Sequence, residues 1–212
     1  MKLFVQLVFM LGIVSICFAQ KDWQLAKEKN GTRVYTKFYK NAGIKQLRVE
    51  STFTGVTLHA FFAVFKDVPN AVKWTSHLKR AYSIKEFAVN DYINYFEIDV
   101  PWPLKNREAI FNVKAYQDED KTLNIKSEIN PNIWPESDTI VRIVDALGVW
   151  KFTPLGEGKT KVQSILYADP RGFPGWIVNL FAVDSPVETH LNLKKHVQNE
   201  KYKNAHFDFI KE

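Results

Sequence analysis

Apolar and polar positions change their spacing several times along this chain, and each change marks a candidate element. Asp22 to Lys29 is read as a short helix, with Asp22 placed to cap it and Gly31 just past its end. Arg33-Val34-Tyr35-Thr36-Lys37 alternates as a strand does. After an Asn41-Ala42-Gly43 turn, Lys45 to Phe53 alternates again, with Leu47, Val49 and Phe53 on one parity. Leu58, Phe61, Phe62 and Phe65 then recur at helical spacing; Asp67-Val68-Pro69-Asn70 ends that helix, and a second short helix is expected to carry Trp74. From Tyr82 to Tyr167 alternating runs are separated by turn signals at Val89-Asn90-Asp91, Pro101-Trp102-Pro103, 118–121, 130–138 and 156–159, the pattern of a long antiparallel meander. Beyond Asp169-Pro170-Arg171-Gly172-Phe173-Pro174 the spacing lengthens. Trp176, Leu180, Val183, Val187 and Leu191 fall at steps of 4, 3, 4 and 4 on one face of a long helix, with Asn179, Asp184, Glu188 and Asn192 on the other. Pro186 lies inside this pattern and is expected to kink or break it.

One helix is about 10–12 Å across, so it cannot by itself fill the concave face of a large sheet. The volume between them is either a packed core or a ligand cavity, and the residues alone leave both open. The inward parity carries Asn94, Phe96, Ile98 and Val100, then Ala109, Phe111, Val113 and Ala115. It continues through Ile140, Arg142 and Val144, then Trp150 and Phe152, then Val162, Ser164 and Leu166. The candidate lining is therefore Asn94, Phe96, Ile98, Phe111, Val113, Arg142, Trp150, Phe152 and Ser164, joined from the last helix by Trp176, Leu180 and Val183. A buried guanidinium without a partner is very costly, so Arg142 calls for a carboxylate, a ligand headgroup or a different parity.

Composition sharpens the picture at two points. With 46% hydrophobic and 14% aromatic residues, the chain has apolar material for one good core, and one domain is the natural reading. Met1-Lys2, the apolar run from Leu3 to Ile16 and the small-residue site ending at Ala19 read as a secretory signal peptide over residues 1–19. That leaves residues 20–212 as the single folded domain, exported to the periplasm or secreted. The apolar run is short for a membrane span, which takes roughly 20 residues, and a retained anchor is the alternative. Cleavage removes Cys17, the one cysteine, and with it any disulfide or thiol chemistry. The net charge of +6 is spread without basic tracts, which argues against nucleic acid and allows a weak preference for anionic lipid surfaces.

Catalytic patterns do not emerge. The five histidines form no compact ligand set, and no nucleophile elbow, P-loop or dinucleotide fingerprint occurs, so no catalytic residue, metal or cofactor is assigned. Glu97 and Asp99 lie about 7 Å apart on one strand face, opposite the apolar parity, and read as solvated. Asp118-Glu119-Asp120 reads as a charged hairpin tip.

Taken in order, several segments resemble the START family of lipid-transfer domains, and its small bacterial members most. They are Trp23 with Asn30-Gly31-Thr32-Arg33-Val34-Tyr35; Asp67-Val68-Pro69 with Trp74; Pro101-Trp102-Pro103-Leu104 with Asn106-Arg107-Glu108; Val141-Arg142-Ile143; Gly148-Val149-Trp150; Thr153-Pro154-Leu155-Gly156; Gly158-Lys159-Thr160; and Asp169-Pro170, Gly172, Pro174-Gly175-Trp176-Ile177-Val178-Asn179 and Pro186. The resemblance implies an α+β helix-grip fold: a curved antiparallel β-sheet wrapped around a long C-terminal α-helix, with a hydrophobic tunnel between. It implies non-enzymatic binding, and transfer, of a lipid or other hydrophobic small molecule by a monomer that touches membrane surfaces transiently. Asn94, Arg142 or Ser164 would orient a headgroup, and the kink at Pro186 would let part of the last helix act as a gate. Two alternatives stay open: a cyclase- or hydrolase-type enzyme of the wider helix-grip superfamily, and a protein-interaction module. The sequence departs from the family at Val113, where some eukaryotic members carry a cavity arginine, so their headgroup contacts do not transfer. The 169–174 turn is also one residue short of the usual form. Trp102 is expected to pin the Pro-Trp-Pro corner onto apolar neighbours.

Overall fold

The computed structural model describes residues 22–39 and 43–212; the stretch read as an export signal and part of the expected 41–43 turn lie outside them. The N-terminal segment is not a helix. It is β1 (Gln24–Lys29), paired antiparallel with β2 (Thr32–Phe38). Asn30 and Gly31 both take positive φ, 50° and 73°, so they form the tight two-residue hairpin turn whose twist suits paired strands. The glycine read as a helix stop is thus a hairpin residue, and cross-strand pairing overrides the local helical preference.

The remaining strands are β3 (Lys45–Thr54), β4 (Leu78–Ala88), β5 (Asp91–Ile98), β6 (Arg107–Gln117), β7 (Leu123–Ile129), β8 (Val141–Arg142), β9 (Ala146–Gly156) and β10 (Lys159–Ala168). They form one sheet in the order β1-β2-β3-β10-β9-β7-β6-β5-β4, with β8 bridging β6 in parallel. The expected meander therefore starts at Leu78 and is interrupted once. After β7 the chain leaves the sheet, adds the two-residue β8 beside β6, and returns as β9 and β10. The last of these closes against β3, which joins the N-terminal hairpins to the rest.

Helix α1 (Leu58–Lys66) forms where the helical spacing predicts it. The Thr57 side chain caps it by accepting the Ala60 N–H at 3.1 Å, and a six-residue 3-10 segment, Val68–Lys73, follows with Trp74 at its end. Phe61 and Phe62 are fully buried. Phe61 stacks on Phe152 of β9, and Phe62 meets Phe207 and Phe209 of the C-terminal tail edge-on. Full burial of such a side chain contributes about 1.5–3 kcal/mol, so this aromatic block forms a firm floor at one end of the cup.

The C-terminal helix is two helices, α2 (Gly175–Phe181) and α3 (Asp184–His196), followed by the one-turn α4 (Glu200–Lys203). The break falls at Ala182 and Val183. Pro186 has no N–H for the carbonyl four residues back, and its ring crowds that carbonyl, which belongs to Ala182. The proline thus acts one turn upstream of itself. Helix α3 is held by Val187 against Val34 and Val49 of β2 and β3, and by Leu193 in the main core, whereas none of the α2 residues is buried.

Candidate functional site

Between the sheet and the C-terminal helices lies a cavity of about 880 Å³. Its inner end is walled by Phe65, Trp74, Tyr92, Val113, Ile125 and Trp150. Its outer end is walled by Pro101–Leu104, Ile143, Ala146, Pro170, Phe173 and the inner face of α2. Trp102, Leu104 and Phe181 line the cavity and are themselves exposed, which places the mouth between the 99–106 loop and α2. The volume lies in the upper part of the range for ligand sites, and the walls are largely apolar.

The residues expected to line such a cavity divide. Asn94, Phe96, Ile98, Phe111, Val113 and Trp150 do line it, as do Ala109 and Leu166. Phe152 lies beneath it in the floor, stacked on Phe61 at 4.6 Å. Ser164 is fully buried and bonds His190 of α3 instead. Val183 packs against the β2–β3 cluster. Trp176 and Leu180 are exposed, at 65% and 68%, and point away from the cavity. The two-residue break before α3 resets the helical phase, so a face extended through it is wrong for α2. Ile177, Val178 and Phe181 face inward in their place. Asn179, assigned to the outer face, clamps α2 to the start of β3: its Oδ1 accepts the Lys45 N–H at 2.9 Å and its Nδ2 donates to the Gly43 carbonyl at 2.8 Å.

Arg142 is not a cavity residue. It sits on the outer side of the sheet, where Nε and Nη2 meet Glu108 Oε1 at 2.8 and 2.6 Å, Nη1 donates to the carbonyls of Pro131 and Trp134, and Nη2 also donates to that of Pro135. The alternation through 140–144 fails because β8 is only a two-residue bridge. Register with β6 puts Arg142 opposite Glu108, Ile143 turns inward, and Val144 is exposed. Glu97, expected in solvent, is buried on the same outer side, bonded to Arg80 at 2.7 Å and to Asn106 at 2.8 Å. These partners hold its carboxyl below the usual carboxylate range against the opposing effect of burial.

The 100–107 corner is also built differently. Trp102, at 92% exposed, pins nothing. The corner is held by Asn106, whose Oδ1 accepts the Val100 N–H at 3.1 Å, whose Nδ2 reaches Glu97 and whose carbonyl accepts the Val141 N–H at 3.0 Å. Arg107 begins β6 on the inward parity of Ala109, Phe111 and Val113, a position legible in the alternation, and it lines the cavity.

One buried constellation has the look of catalysis. His190 Nδ1 lies 2.8 Å from Ser51 Oγ, and Nε2 lies 2.9 Å from Ser164 Oγ. Burial pushes the imidazole down to about 3, so it is a very weak base at neutral pH, and neither it nor the two serines line the cavity. The neutral ring gives one donor and one acceptor, which suits a staple from α3 to β3 and β10. Among the described residues no cluster of histidine, cysteine or carboxylates has the arrangement of a metal site.

Comparison with known proteins follows the same geometry. The chain is 29% identical over 189 residues to an uncharacterized protein of Pseudomonas aeruginosa, covering 86% of this chain and 90% of that one. It is 22% identical to the phosphatidylcholine transfer protein of Mus musculus, with 84% and 85% covered. Among solved structures, the STAR-related lipid transfer protein of Xanthomonas axonopodis superposes with a TM-score of 0.77 at 24% identity, covering 84% of this chain and 99% of that one. Human STARD10 superposes with a TM-score of 0.73 at 19% identity, covering 87% and 76%. These likenesses confirm the helix-grip architecture. The family description that matches is the START domain, over residues 13–203, and the chain belongs to that family.

Proposed function

We propose that this protein binds a lipid or similar hydrophobic molecule in the cavity and carries it to and from membrane surfaces, without catalysing a reaction. The observation that carries this reading is the cavity itself: about 880 Å³, largely apolar, open at one end and built into a fold whose relatives include a phosphatidylcholine transfer protein. Moving a lipid tail from water into such walls gains about 25 cal/mol per Å² of apolar area. A protein-interaction module would have a filled interior. A catalyst would need its polar pair in the cavity, and the Ser–His contacts lie outside it.

Exposed Trp102, Leu104, Trp176, Leu180 and Phe181 gather large apolar groups on the two segments that border the mouth, a grouping that favours contact with a membrane. Helix α2 is the proposed gate, and export by the N-terminal segment would place the protein outside the inner membrane as a monomer. The test is Val113→Trp, which puts a large ring into the cavity's inner end. Uptake of a pyrene-labelled phospholipid from phosphatidylcholine vesicles is expected to fall several-fold while the fold is retained. Unchanged uptake would overturn the proposal.

A further inference from the structure

Two arginines are almost completely buried, and they are treated differently. Arg142 is 2% exposed and has its carboxylate, Glu108. Arg107 is 5% exposed, lines the cavity, and has none. Its partners are three loop carbonyls: Nε donates to Pro170 at 3.0 Å, Nη2 to Arg171 at 3.1 Å, and Nη1 to Lys105. The Phe173 ring lies 4.7 Å from its guanidinium carbon. Carbonyl dipoles and an aromatic face stabilise the cation but leave its charge uncancelled, and a guanidinium does not escape by losing its proton. A guanidinium has five N–H donors, so one on each terminal nitrogen is left over after these bonds. The other charged side chains of the lining are Lys45 and the exposed Asp99, so cations outnumber carboxylates there.

We propose that Arg107 makes the cavity selective for anionic amphiphiles, a long-chain carboxylate or phosphate monoester, bound with the negative headgroup at the mouth and the tail directed inward. The inference rests on the cavity being a lipid site. The orientation follows from β6. Arg107, Ala109, Phe111 and Val113 share its inward face, and the six-residue step from first to last spans about 20 Å at the rise of a strand. The guanidinium stands at the outer end of that line, held by loop carbonyls, and the apolar residues lead away from it. A planar guanidinium with a donor free on each terminal nitrogen fits a carboxylate or phosphate with two oxygens. A zwitterionic headgroup would bring its own cation to the same place.

The test titrates oleate and oleyl alcohol into the delipidated protein at near-neutral pH, read by the fluorescence of the cavity tryptophans Trp74 and Trp150. Oleate is expected to bind about 10- to 100-fold more tightly than the alcohol, the range for a charge-assisted hydrogen bond. Arg107→Met should abolish the preference for oleate over the alcohol, and Arg107→Lys should keep part of it. Equal affinities in the wild type would overturn this inference and leave the lipid site standing. Binding of neither amphiphile would overturn both. Inorganic phosphate binding as tightly as oleate would also overturn it, in favour of a free-anion site. Because Arg107 ties two loops together through three carbonyls, the wild-type comparison decides the matter alone if the methionine variant does not fold.

Discussion

His190 is a single buried residue with a measurable pH signature. Its imidazole is bonded at both nitrogens by serines of β3 and β10 and stacks on Trp150 at 4.9 Å, and burial holds its pKa near 3 against about 6.5 in the unfolded chain. Between those values the unfolded state binds the extra proton, so stability is present above about pH 6.5 and declines as the pH falls through this window. The expected loss between pH 7 and pH 5 is about 2 kcal/mol from this group. His196, also depressed mainly by burial, adds to the same trend, so the decisive comparison is with His190→Gln. Urea unfolding at both pH values should show a flatter pH dependence in the variant; identical slopes would contradict this role. The His190 staple was hidden in the sequence, because Ser51, Ser164 and His190 converge only when α3 lies across β3 and β10. The Arg142–Glu108 pair is similar: charge cost alone demanded a partner, but only the β8 bridge identifies it and turns the pair to the outer side. Arg107, by contrast, was on the readable parity of β6.

At the scale of elements, α3 and α2 differ in how they are held. Helix α3 is fixed by Val187, Leu193 and the His190 staple, whereas α2 lacks buried residues and relies on the Asn179 clamp to the start of β3. Asn179→Ala removes both clamp bonds, worth about 1–3 kcal/mol locally, without touching the core. Ligand exchange, followed by stopped-flow transfer of the pyrene-labelled lipid to acceptor vesicles, is expected to speed up several-fold with little change in melting temperature. A slower or unchanged rate would contradict α2 as the gate. The elements themselves were mostly legible, since alternation and helical spacing survive burial on one face. The errors arose where an unmatched interruption reset the count: the Asn30-Gly31 turn, the β8 bridge, and the Ala182–Val183 break that turned Trp176 and Leu180 outward.

For the whole molecule, the large exposed side chains on the segments bordering the mouth carry the membrane argument. Trp102 illustrates how position rather than residue type decides its role. The proline-flanked corner reads as a buried pin, yet Asn106 holds the corner and Trp102 projects into solvent. Together with the net charge of +6, this predicts binding to vesicles that contain anionic lipid. Trp102→Ala combined with Trp176→Ala should reduce co-sedimentation with such vesicles several-fold while leaving the fold unchanged, and undiminished sedimentation would refute the assignment. The central claim is that the cavity is occupied by a lipid in the protein's own setting. Native mass spectrometry of the protein isolated from its own compartment tests this most directly. The account predicts a single copurifying amphiphile per chain, released on denaturation and reduced in the Val113→Trp variant. A mass equal to that of the bare polypeptide, with no lipid in the organic extract, would contradict it.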